Sequence, residues 1–173
     1  MRRAVLARRS YSSVTDQAPT REELLPLVAA ASRVADHGSL RPWRLIEIRG
    51  SSRAKLGKAL GKAAGSSPSD KPLRASLLIA VVASRRKSKV AEWEQDATAA
   101  GVAHMLSLLL DEAGWGVFWR SGEATRSKAV RKAHKLKKRE ELLGWLYVGG
   151  VKEKYQDARG KRPVDPSEFL TIL

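Results

Sequence analysis

Seven consecutive apolar residues, Leu77-Leu78-Ile79-Ala80-Val81-Val82-Ala83, constrain this chain more than any other feature. The run has the length of a β-strand but lacks the polar alternation of a strand with one wet face. Both faces of such a strand need cover, so it belongs inside a sheet with packed layers on either side. It is far shorter than the roughly 20 apolar residues a membrane helix needs. The rest of the chain must then supply helices for both faces and strands for both edges.

Candidates for each role are present. Pro42 sets an extended backbone before Leu45-Ile46-Glu47-Ile48, which reads as a strand. Gly116 to Trp119 is a short extended segment, and Leu142 to Val148 is a last strand closed by Gly149-Gly150. Thr20-Arg21-Glu22-Glu23 is a capping box, and Leu24, Leu27, Val28 and Ala31 follow at helical spacing. Pro26 inside this helix predicts a kink or a late start. Ser51 to Ala64 reads as a basic helix, Gly65 to Asp70 as a loop, and Ser127 to Leu136 as a second basic helix. The strongest helix is Ala91 to Ala113, with Glu92, Glu94 and Asp96 where the dipole favours acids and Gly114 as C-cap. Its stripe Ala97, Ala100, Gly101, His104, Leu108 is mostly small and permits close helix packing. The tail, Lys152 to Leu173, carries Pro163 and Pro166 and ends apolar, so it is expected to dock, for instance on a partner subunit. About four helices and three or four strands in mixed order make an α+β protein or a three-layer α/β/α sandwich. The 173 residues suit a single domain, 1–173, that buries roughly 70% of its extended surface.

The chain has no cysteine, which excludes disulfides, thiolate metal sites and a cysteine nucleophile. Its basic start is followed by polar residues rather than the apolar stretch of a signal peptide. These features predict a soluble, cytoplasmic protein without a membrane segment. The net charge is +15, which attracts polyanions, from phosphorylated cofactors to nucleic acid. The densest cationic stretch runs from Arg126 to Arg139 and reads as a solvated helix face. A nucleic-acid partner is not expected, because no RNP aromatics, zinc-finger spacing or helix-turn-helix pattern is present.

Three short segments carry groups that suit an anionic ligand. Arg8-Arg9-Ser10, with Tyr11-Ser12-Ser13 behind, offers guanidinium forks and hydroxyls to a phosphate, although terminal arginines are more often plain exposed charge. Arg33 and His37 lie one helical turn apart and could hold one ligand, or form a surface pair. Trp119-Arg120-Ser121-Gly122 places an aromatic, a cation, a hydroxyl and a flexible backbone after a strand. His104, on the apolar stripe, reads as a satisfied interior or interface histidine rather than a ligand. No GxGxxG, P-loop or nucleophile elbow occurs, and Gly114-Trp115-Gly116 follows a helix, the reverse of a dinucleotide loop.

Five segments in register resemble the nitroreductase family, most closely its short bacterial members. They are Arg8-Arg9-Ser10; Ala35 to Trp43; Trp93-Glu94-Gln95; Trp119 to Gly122; and Gly144-Trp145-Leu146-Tyr147-Val148-Gly149. The resemblance implies a homodimer with a central, mostly antiparallel sheet, a long helix at the dimer interface and FMN where the subunits meet. It implies that Arg8, Arg9 and Ser10 contact the flavin, that Arg33 and His37 reach it from the neighbouring subunit, and that Trp119, Arg120 and Ser121 complete the site. Arg9 is the candidate cation for the charge of the reduced ring. Departures from the family are Ser39 and Arg41 before Pro42-Trp43, Ser76 before the apolar run, and a short loop from Gly65 to Leu73.

The implied activity is an FMN oxidoreductase that takes hydride from NADH or NADPH and passes electrons to a nitroaromatic, quinone or similar small acceptor by a ping-pong course. No side chain need act as catalytic acid or base, because the hydride chemistry belongs to the flavin. The rivals are a flavin-free basic binding protein on the same fold and a protein that uses FMN as substrate.

Overall fold

A computed structural model describes residues 2–155 and 164–172. The elements in chain order are α1 (Arg2–Ala7), α2 (Arg21–Ala31), β1 (Trp43–Ile48), α3 (Ser51–Ala64), β2 (Leu77–Ser84), α4 (Glu92–Glu112), β3 (Trp115–Arg120), α5 (Lys128–Ala133) and β4 (Glu140–Gly150). The four strands form one sheet in the order β1-β2-β4-β3, with every neighbouring pair antiparallel.

The apolar run is β2, and it lies inside the sheet with Leu77 to Ala83 all buried. Alternation divides it between two cores. Leu77, Ile79 and Val81 point to one face, where Leu24 and Ala31 of α2 and Val102, Ala103, Leu106 and Leu110 of α4 cover them. Leu78, Ala80 and Val82 point to the other, against Leu56 of α3 and Val130 of α5. Each such buried side chain contributes about 2 kcal/mol of transfer free energy. The expected three layers follow: α2 and α4, the sheet, then α3 and α5.

β4 changes phase to serve both cores. Leu142 faces the α3/α5 side, and so do Trp145 and Tyr147, an odd offset that a regular strand cannot give. A bulge between the partners of Val81 and Val82 absorbs the extra residue. It falls at Gly144, whose φ of 145° no other residue adopts readily. A Cβ there would also overlap the carbonyl of Arg120 and the indole of Trp119.

Most local expectations hold. Thr20 and Glu23 exchange both capping-box hydrogen bonds, and α2 runs on through Pro26. The proline and Glu22, the residue whose carbonyl loses its donor, are both exposed, so water can serve that carbonyl. Two details differ from expectation, and a third bears on the small-residue stripe. Residues 2–7 form a helix that no periodicity announced. α5 is shorter than the expected 127–136, because Lys135 turns left-handed (φ 50°) and ends it. On the small-residue stripe Gly101 lies against the Val34 side chain of its own chain. Of the tail, Val164, Phe169, Leu170 and Ile172 are exposed. Pro163 and Leu173 lie outside the described residues. Among the described residues no helix is long and apolar enough to cross a membrane.

Candidate functional site

Two of the cationic motifs, at Arg8 and at Arg33, open into clefts on the α2/α4 layer. The first, of about 220 Å³, is lined by Arg8, Ser10, His104, Ser107, Val117 and Trp119. Arg8 arrives there because α1 ends at Ala7 and the chain then runs along the edge of β3, where the Tyr11 amide donates to the Val117 carbonyl. Trp119 comes from β3 and lines the cleft beside His104, the two rings 4.9 Å apart and tilted 57° to each other. His104 is exposed on the single chain, so of the expected interior or interface placement the interior one does not hold. Its place on the small-residue stripe was the available signal: the side chains around it are too short to cover it.

The second cleft, of about 540 Å³, is lined by Arg33, Ser39, Arg41 and Trp43 together with the end of α2. Its wall is a strained turn. Gly38, Ser39 and Arg41 all have positive φ, and for the last two this costs on the order of 1 kcal/mol each. The Asp36 carboxylate holds the turn by accepting from the amides of Leu40 (3.2 Å) and Arg41 (2.8 Å). Asp36 is thereby committed to backbone, and the cleft remains cationic. Ser39 and Arg41, the departures noted in the sequence, are the two strained residues. His37 pairs with Glu94 of α4 at 2.8 Å.

Other expected residues are placed differently. Arg9 donates to the Tyr155 carbonyl (3.2 Å), so Arg8 rather than Arg9 lines the cleft. Arg120 points to the opposite sheet face, its guanidinium 4.3 Å from the Phe118 ring centre and 5.2 Å from that of Tyr147. Ser121 is exposed at the end of β3. The structure therefore brings Arg8, Ser10 and Trp119 together, sets Arg33 and His37 further along α4, and keeps the Arg120 guanidinium behind the sheet.

Sequence reasoning missed two supports of the first cleft. Tyr155 fixes the segment after Arg9: its hydroxyl meets Ser12 Oγ at 2.8 Å and accepts from the Ser13 amide at 3.3 Å. Those bonds lower its pKa to about 8. Asp111 lies near Arg8, Arg9 and Tyr11; burial raises its pKa, while Tyr11 and the two arginines pull it down.

Neither cleft carries a free carboxylate, and the first is below the ~300–1,000 Å³ usual for a small-molecule site. One chain thus displays two cationic part-sites with an aromatic wall. The donor set suits a phosphorylated, flat ligand: guanidiniums and hydroxyls for the phosphate, Trp119 and His104 for the ring.

A three-layer α+β protein with this antiparallel sheet has the fold of nitroreductase-like structures. A nitroreductase-like family protein from Bacillus cereus superimposes with a TM-score of 0.84 at 22% identity, covering 99% of this chain and 95% of that one. A variant of the FMN and NADPH-dependent nitroreductase NfnB from sphigopyxis sp. strain HMH gives 0.79 at 18%, covering 99% and 97%. The nitroreductase family model matches residues 5–150. The Escherichia coli K12 protein named "Putative NAD(P)H nitroreductase YdjA" is 32% identical over 179 positions, 98% of this chain and 97% of the relative. The chain belongs to the nitroreductase family, a family of oxidoreductases.

Proposed function

We propose that this protein is an FMN-dependent NAD(P)H oxidoreductase that works as a homodimer and reduces a nitroaromatic, quinone or similar small acceptor. The observation that carries the reading is the pair of part-sites on the α2/α4 layer in which cations outnumber carboxylates, the one lining carboxylate, Asp36, being held by the amides of Leu40 and Arg41. Each is open on the single chain, and in the homodimer reading Arg33 and His37 of one chain complete the site that Arg8, Ser10 and Trp119 begin on the other. The relatives add support, since NfnB is described as FMN and NADPH-dependent.

The roles follow from the chemistry of the side chains. Arg8 and Ser10 would bind phosphate or ring edge, and Arg33 and His37 would contribute from the neighbouring subunit. Trp119 and His104 would press on an apolar ring face and exclude water from it. Arg9 would hold the backbone at Tyr155, Arg9 and Arg120 would add positive potential, and the Ser121 hydroxyl would complete the site; a cation near the ring favours its reduced, more negative form. When bound, FMN supplies the hydride chemistry in two half-reactions, with NADH or NADPH in the first and the acceptor in the second. The protein's share is binding, orientation and a positive field.

Steady-state oxidation of NADH and NADPH with a quinone acceptor, with and without added FMN, tests this reading. FMN-dependent turnover with parallel double-reciprocal lines is expected. Absence of any FMN-dependent oxidation of either nucleotide would overturn it.

A further inference from the structure

We infer that the outer face of the α3/α5 layer is a docking surface for the phosphate backbone of double-stranded nucleic acid, without base specificity. The sequence alone gave no reason to expect a nucleic-acid partner. The structure adds the arrangement of the charge. α3 carries four cations and no acid, and the segment from Lys128 to Arg139 carries seven cations and no acid. The two pack side by side on one layer. The opposite layer is the reverse, for α2 and α4 together carry seven acids and one cation, Arg21.

The cations of the basic layer are available. Lys55, Lys58 and Lys62 follow at i, i+3, i+7 along α3, and Lys128, Lys132 and Lys135 lie on or just beyond α5; all six are exposed. None of them enters an ion pair among the described residues, where the neighbouring pairs are Arg126 with Glu141 and Arg139 with Glu92. Lys55 and Lys135 also line one cleft of about 440 Å³ between the helices. The carboxylate on its wall, Glu47, is engaged by Arg21 and Arg49. Glu123, at the flank, is the nearest exposed acid in sequence to α5.

The occupant follows from what the face lacks. Among the described residues α3 and α5 themselves expose no large apolar side chain; Leu73, in the turn packed against α3, is the one such residue at their border, and Trp93, Met105 and Leu25 belong to the other layer. A single strand needs aromatic stacking platforms, and a membrane surface is held best by inserted apolar side chains. A duplex backbone needs neither, only a row of cations to displace counterions. The 14 residues of α3 span about 21 Å, roughly six base pairs of duplex.

The test is fluorescence anisotropy with a labelled 20-base-pair duplex of arbitrary sequence, across a salt series, using the full chain. The wild type should bind with strongly salt-dependent affinity. K55E/K58E/K62E should weaken binding at least ~30-fold and flatten the log-log salt slope by about 3, close to one unit per lost phosphate contact. K128E/K132E/K135E should do the same, which guards against misfolding of either variant. R86E/K87E/K89E, an equal charge change in the loop before α4, should cost less than ~3-fold, because charges more than a Debye length from the duplex are largely screened. Equal losses in all three variants would overturn the surface, leaving only net charge. Tighter binding of the single strand, or equal binding of vesicles rich in anionic lipid, would overturn the duplex as partner.

Discussion

The two helical layers cover the same sheet, yet they use charge in opposite ways. In the α2/α4 layer the helices are acidic and the cations sit in the turns beside them, at Arg8, Arg33 and Arg41, where they line clefts. In the α3/α5 layer the helices are basic along their length, and the cations look outward. The first arrangement concentrates positive potential at two points and stores backbone strain at Ser39 and Arg41. The second spreads it over a surface and hides its polar chemistry beneath, where the Trp145 indole donates to His134 Nε2 at 2.9 Å and His134 Nδ1 donates to the Val130 carbonyl at 2.8 Å. A point-like field selects a small anion, whereas an extended one suits a polymer.

The contrast is broken most severely at the Arg44–Glu140 ion pair, which joins β1 to the start of β4 on the basic-layer side. Glu140 accepts two bonds from Arg44 (2.7 and 2.8 Å), one from Ser84 Oγ (3.2 Å) and one from the Lys137 amide (2.9 Å). Glu140→Ala should lower unfolding free energy by about 2–3 kcal/mol in urea titration, somewhat under the range for fully buried pairs, because the Arg44 side chain is 35% exposed. The Arg44 hydrogen bonds hold the Glu140 pKa at about 2, below its ordinary value. Its contribution is therefore complete above the unfolded-state pKa and drains away as pH falls toward 2. The alanine variant should lose that part of the acid sensitivity.

The next effect separates the layers by ligand. Arg8→Ala should weaken FMN binding at least tenfold by fluorescence titration, the loss of a charged hydrogen bond of about 1.5 kcal/mol. The triple reversal on α3 should leave FMN affinity within about twofold, since its charges lie beyond the sheet. Arg120→Ala should weaken FMN less than Arg8→Ala, because its guanidinium stacks on Phe118 and Tyr147. A larger loss for Arg120 would reverse that assignment.

Assembly offers a third contrast. Ala97 is exposed on α4, and Ala97→Leu should shift sedimentation toward monomer if that helix is the seam. Gly101→Leu is a poorer probe than its place on the small-residue stripe suggests, for it would strike Val34 within its own chain. The smallest expected effect is in the basic layer. Burial lowers the His134 pKa, so the unfolded chain takes up its proton first as pH falls below the ordinary value near 6.5. Stability should fall from pH 7 toward 5 with a slope of less than one proton, and His134→Asn should remove that slope.

What was legible in the sequence was local. The apolar run of β2, the Thr20–Glu23 box and the acids opening α4 each act within a few residues, and all appear where expected. Strand order, the bulge at Gly144 and the left-handed stop at Lys135 depend on partners distant in the chain, and no pattern within reach of them announced their geometry. The site divides in the same way. Arg8, Ser10 and Trp119 were named from residue chemistry and meet in one cleft. Tyr155 and Asp111 were passed over because their partners come from other segments. Charge segregation was hidden for that reason too, since α3 and α5 become one face only after folding.

The visible absorbance spectrum of the purified protein, taken after FMN is added and the excess removed, tests the central claim most directly. Retained flavin absorbance that bleaches anaerobically with NADH or NADPH is the predicted result. A colourless protein after that treatment would contradict it and leave the fold without the flavin chemistry.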